Sequence, residues 1–211
     1  PIHLPMELSM SASSNQPAHK NTSSDTHTES QNYRVMIEPL AATKTWLFVP
    51  ATRIDRVAKA FASGADAVIV DLEDAVAQVD KAQARVALKE YYDAEHDAKS
   101  YRPIWLRINQ ASSAEFVKDL ALCQQLPKLA GVLLAKVEQP ADIEKVYQET
   151  GLPVMALIEN AMGLYRIEDM AKASGLLAFS YGFLDLCNDL QVQVGTASAD
   201  IIANQIRYQL I

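Results

Sequence analysis

The chain has 211 residues, 49% of them hydrophobic and 21% charged, enough to build a sizeable buried core. Its net charge of -7 excludes a nucleic-acid binder, which needs a basic face, and no apolar run reaches the roughly 20 residues that span a bilayer. Its two cysteines, Cys123 and Cys187, lack metal-ligand or disulfide-framework spacing, so the expected location is a reducing cytoplasm.

In chain order, residues 1–40 are expected to be disordered or poorly structured, with the folded domain over 41–211. Ser11 to Asn32 is rich in Ser, Thr, Asn and Gln and offers too little apolar area to offset its ordering entropy. Pro1 begins the chain, which marks Met10 or Met36 as a candidate start. From Thr45 onward six short β-rich runs alternate with amphipathic segments. The runs are TWLFVP (45–50), ADAVIVD (65–71), PIWLRIN (103–109), GVLLAK (131–136), PVMALIE (153–159) and LLAFSYG (176–182). The spacing predicts helices from Arg53 to Ser63, from near Asp80 toward Tyr92, from Ser113 to Gln125, from Ala141 to Glu149 and near Leu164 to Ala173.

This alternation predicts an α/β fold with a parallel sheet and helical crossovers. Polar residues gather at the C-terminal end of every run after the first, and no glycine-rich phosphate turn occurs. Both features favour a TIM (β/α)8-type barrel over an open doubly wound sheet. Only about six βα units are present, and the chain stops inside the helical pattern ADIIANQIRYQLI. The expectation is a truncated barrel with two open strand edges.

The chemistry-bearing residues lie at those run ends. Asp71, Glu73 and Asp74 crowd together after the second run, which requires nearby cations or separate partners. Glu159 and Asp185 close or follow two neighbouring runs and can share a hard cation such as Mg²⁺; the alternative is helix capping by Asp185 and a loop position for Glu159. Arg107 interrupts an apolar run, either to grip a substrate carboxylate or thioester oxygen or to pair with the acid cluster. Lys136 ends the fourth run, where a Schiff base or, more simply, an electrostatic role is available, with Glu138 as its nearby acid. Lys81 and Arg85, one helical turn apart, read as a solvated helix face or as cations folded back on the acids. Cys187 reads as a small core residue.

Taken together, TWLFVP, DAVIVDLEDAVAQVDKAQAR, WLRIN, LLAKVE, ALIENAMGL and FSYGFLDLCNDL resemble the citrate lyase beta-subunit-like group of the HpcH/HpaI aldolase superfamily. The resemblance runs from about Thr45 to the C-terminus. It implies a TIM-barrel, magnesium-dependent carbon–carbon lyase. The expected substrate is a malyl-, citramalyl- or citryl-CoA-like thioester, cleaved to a 2-oxo acid and acetyl-CoA, or the reverse condensation. It makes Glu159 and Asp185 the metal ligands and puts Phe48, Glu73 and Asp74 at the mouth of the site, with Arg107, Glu73 and Asp74 as the expected catalytic residues and Phe48, Arg107 and Lys136 as the expected substrate-binding ones. It also implies a homotrimer or hexamer once the barrel is whole. Ala51, Ala135 and Asn160 stand where the family often has Gly, Pro and Thr, which points to a divergent subfamily. The alternatives are an aldolase of free 2-oxo acids, a thioesterase of malyl-CoA type, and an inactive truncated subunit that needs a partner.

Overall fold

The computed structural model describes residues 42–95, 102–126 and 128–210; the expectation for residues 1–40 lies outside them. Six parallel strands carry the fold: β1 (Trp46–Pro50), β2 (Ala67–Asp71), β3 (Trp105–Ile108), β4 (Gly131–Leu134), β5 (Val154–Ile158) and β6 (Leu176–Tyr181). They lie side by side in chain order, each hydrogen-bonded to the next. Sequential order without reversal is that of a (β/α) barrel wall; a doubly wound sheet would reverse direction at a switch point. Among the described residues β1 and β6 each pair on one side only.

The helices follow the strands. They are α1 (Val57–Ala62), α2 (Lys81–Glu95), α3 (Phe116–Cys123), α4 (Pro140–Thr150), α5 (Ala161–Tyr165), α6 (Ile167–Met170), α7 (Phe183–Asp189) and α8 (Ala197–Gln209). Two expected helices are broken. The first is split into a 3₁₀ turn over Ala51–Arg56 and α1, with Arg53 at non-helical angles inside the turn. The segment near Leu164 to Ala173 is divided between α5 and α6, where Arg166 leaves the helical region. No helix among the described residues is long and apolar enough to cross a membrane.

Strand residues alternate between two environments, as a period of two demands. Val68, Val70, Leu106, Ile108, Val132, Leu134, Val154, Ala156 and Ile158 face the helices and form the core with Phe116, Leu120 and Cys123 of α3. The intervening Ile69, Arg107, Leu133, Met155 and Leu157 line a cavity on the other face. Both faces are therefore apolar, which is why the runs read as continuous hydrophobic stretches. Cys187 is buried, in keeping with its reading as a small core residue.

Lys81 and Arg85 do not form a solvated face. Both are buried. Lys81 Nζ donates to the carbonyls of Leu72 and Glu73 at 2.7 and 2.8 Å, closing the turn after β2. Arg85 joins α2 to α3, with Nε 2.7 Å from Asp119 Oδ1 and Nη2 2.5 Å from Glu115 Oε2. Asp119 also accepts from the backbone and side-chain amides of Asn109, so the polar end of β3 is spent on structure. The physical reason is burial: with Asp119 fully enclosed, a facing cation removes an uncompensated charge, a deficit worth about 3–5 kcal/mol.

Candidate active site

The acid cluster after β2 is resolved by both routes its sequence left open. Asp71, the last residue of β2, stands directly opposite Arg107 of β3 in the strand register. Arg107 grips it with two parallel bonds, Nε to Oδ1 at 2.7 Å and Nη2 to Oδ2 at 2.5 Å. Asp71 also accepts the backbone N–H groups of Glu73 and Ala75. Glu73 turns to Lys136, whose Nζ lies 2.6 Å from Oε1, while Arg107 Nη1 lies 3.3 Å from Oε2. Asp74 meets the same ammonium at 3.2 Å. The expected pairing of Arg107 with the cluster is therefore realised, and its bidentate partner is Asp71. Its guanidinium also lies 5.1 Å from the centre of the Phe48 ring, within cation–π range.

Lys136 reaches this position from an unusual backbone. Its φ is 50°, in the left-handed region that side-chain-bearing residues seldom adopt. That conformation turns its N–H toward Glu159 Oε2 at 3.1 Å while the side chain runs to Glu73, Asp74 and, at 3.5 Å, Asp185. Burial alone would lower the pKa of the amine, but the bond to Glu73 and the fields of Glu73, Glu159 and Asp74 outweigh it and raise it. A Schiff-base nucleophile needs the opposite shift, so that reading of Lys136 falls. Glu138, expected beside Lys136, accepts instead from Asn160 Nδ2 at 2.9 Å.

Glu159 and Asp185 come together at the C-terminal ends of β5 and β6. Asp185 is not a helix cap; it sits in the first turn of α7, which begins after Gly182, and Asn160 caps α5 by accepting from Gly163 N–H. Oxygens of Glu159, Asp185 and Asp74 lie within 4.8 Å of one another. Asp74 is the addition: the family resemblance set it at the mouth of the site and not among the metal ligands, and it follows the turn that Lys81 closes. Three carboxylate oxygens converging from three strand ends fit a hard divalent cation, which takes oxygen donors and leaves positions open. Among the described residues Glu159 accepts one hydrogen bond, from the Lys136 N–H. Burial pushes its carboxyl up to about 7 against the pull of Lys136, and the negative charge of Glu73 adds to the rise. A nearby divalent ion would reverse that.

The pKa shift has a consequence for stability. Folding raises the Glu159 pKa from 4.5 to about 7, so between those values the folded chain holds a proton that the unfolded chain has released. The stability this group contributes is present below that window and lost as pH rises through it. Without metal, the melting midpoint is expected to fall between these pH values, and Glu159→Gln is expected to flatten that part of the profile in thermal melts.

The carboxylates rim a cavity of about 500 Å³. Trp46, Phe48, Ile69, Leu133, Met155 and Leu157 give it apolar walls, and Asp74, Arg107, Glu159 and Asp185 its charged mouth. Trp46 and Trp105 meet edge to face in the same interior, 5.5 Å between ring centres. Apolar walls with a few convergent polar groups are the usual form of a small-molecule site.

Residues 44–209 match the family model HpcH/HpaI aldolase/citrate lyase. The chain belongs to this family. Among its relatives is a citrate lyase subunit beta-like protein of Deinococcus radiodurans, 31% identical over 163 residues, covering 74% of this chain and 56% of that protein. A (3S)-malyl-CoA thioesterase of Cereibacter sphaeroides is 31% identical over 145 residues, covering 68% of this chain and 50% of that protein. The chain thus spans about half the length of the curated relatives it matches. Among solved structures, protein CitE of Mycobacterium tuberculosis in complex with magnesium, acetoacetate and coenzyme A aligns with a TM-score of 0.68 at 31% identity, covering 80% of this chain and 61% of that one. The six-strand wall is therefore part of a TIM-barrel-type fold of the HpcH/HpaI family.

Proposed function

We propose that this chain carries the magnesium centre of a carbon–carbon lyase acting on 3-hydroxy-dicarboxylic acyl-CoA thioesters of the malyl-, citramalyl- or citryl-CoA type. The products are a 2-oxo acid and acetyl-CoA, and the reverse is a condensation. The observation that carries the proposal is the convergence of Asp74, Glu159 and Asp185 within 4.8 Å, at the mouth of an apolar cavity that also holds Arg107. The magnesium and coenzyme A in the Mycobacterium tuberculosis relative support it.

Glu159 and Asp185 would hold the ion, with Asp74 as a third oxygen. Bound there, Mg²⁺ would supply Lewis acidity toward a substrate hydroxyl and toward negative charge developing on a keto oxygen. Asp71 takes two of the five Arg107 donors and Glu73 faces Nη1 at 3.3 Å; the donors engaged by neither acid would bind a substrate carboxylate. Lys136 holds a fixed positive charge beside the acids and lowers the repulsion an anionic substrate would meet. Phe48 and the apolar walls would lie against the apolar part of the substrate. In the reaction the hydroxyl loses its proton, the bond between the hydroxyl-bearing carbon and the thioester α-carbon breaks, and the α-carbon keeps the electron pair and takes up a proton.

A thioesterase acting on the same substrates is the second reading, supported by the name of the Cereibacter sphaeroides relative. Products distinguish the two. With malyl-, citramalyl- and citryl-CoA and Mg²⁺, the lyase reading expects a 2-oxo acid, trapped as its phenylhydrazone, and no free CoA thiol. Free thiol with the intact dicarboxylic acid would favour the thioesterase. Turnover of none of the three by a folded, magnesium-binding chain would contradict both.

A further inference from the structure

The Glu159 carboxyl lies in a slot with two walls. One is Lys136, whose left-handed backbone aims its N–H at Oε2. The other is the turn from β6 into α7, where Gly182 sits. A Cβ built on Gly182 would fall 2.5 Å from Glu159 Oε1, 2.8 Å from its Cγ and 3.1 Å from its Cδ. The first two distances are shorter than non-bonded atoms tolerate.

Glycine is not required here by the backbone. Gly182 has φ -94° and ψ 98°, an extended conformation open to any residue. Its N–H donates to Ile158 O at 2.9 Å, continuing the β5–β6 pairing, so the turn cannot retreat without breaking that bond. The space that a side chain would fill is occupied by Glu159 alone among the three nearest atoms. The absent side chain is therefore room for one carboxyl group.

We infer that Gly182 is a positioning residue: its bare Cα fixes where the Glu159 carboxylate sits relative to Asp74 and Asp185. A methyl group at 182 would force the carboxyl out of the slot, break its bond to the Lys136 N–H and open the three-carboxylate cluster. The binding consequence rests on the magnesium reading above; the steric claim does not.

The test compares the full chain with Gly182→Ala, Glu159→Ala and the double variant, by thermal melts without metal and by Mg²⁺ titration calorimetry. Gly182→Ala is expected to lower the melting midpoint and weaken Mg²⁺ binding at least tenfold. In the Glu159→Ala background the same substitution is expected to leave the midpoint unchanged or raise it, because the slot is empty and alanine restricts the unfolded chain. An equal loss of midpoint with and without the Glu159 side chain would overturn the inference. If Gly182→Ala fails to fold, folding restored by Glu159→Ala supports it and failure in both backgrounds overturns it. If the parent chain binds no Mg²⁺, the metal reading falls, and the melting cycle alone decides the slot.

Discussion

Arg107→Met is expected to lower the unfolding free energy by about 3–5 kcal/mol, the cost of leaving one partner of a buried ion pair uncompensated. Asp71 is 1% exposed and loses both bonds of its guanidinium grip, keeping only two backbone donors. Glu73, also buried, loses its second cation. Arg107→Lys is expected to recover only part of the loss, since an ammonium cannot present two parallel donors to one carboxylate. Combining Arg107→Met with Asp71→Asn is expected to recover more, because the buried charge goes with its partner. Urea denaturation of the four proteins measures these differences. A loss below about 1 kcal/mol for Arg107→Met would mean that the pair is solvated, as exposed ion pairs are.

Lys136→Met is expected to act in opposite directions on the metal-free and metal-bound protein. The ammonium contacts Glu73, Asp74 and Asp185, two of which belong to the proposed metal set. Without it these acids repel one another, and metal-free stability is expected to drop by about 1–3 kcal/mol. A divalent ion relieves the same repulsion and no longer competes with a resident cation. The Mg²⁺-induced rise in melting midpoint is therefore expected to be larger in Lys136→Met than in the parent, through ordinary binding linkage. A smaller rise would mean that Lys136 assists the metal and does not compete with it.

The legible part of this fold was the part governed by period and by burial on both faces. Each of the six apolar runs became a strand, because residues such as Val68 and Ile69 are covered alike, one by helices and the other by the cavity interior. The parallel sheet followed from the alternation with helices, and its sequential order from the polar residues at the run ends. Lys81 and Arg85 were not legible, because cations one turn apart look the same whether they face water or buried acids. The partners of Arg85, Glu115 and Asp119, lie on a different helix and carry no local signal. The break at Arg53 was hidden because the apolar spacing continues across it. At the site, Glu159, Asp185 and Arg107 stood out as charges at the ends of apolar runs. The approach of Asp74 depends on the conformation of a turn, and the space over Gly182 on a side chain that is not there.

Mg²⁺ titration calorimetry on the parent chain, Glu159→Ala and Asp185→Ala decides whether these two carboxylates hold the ion. One saturable site is expected in the parent, lost in both variants while each remains folded by circular dichroism. Unchanged binding in either variant, or no saturable binding by the folded parent, would contradict that assignment.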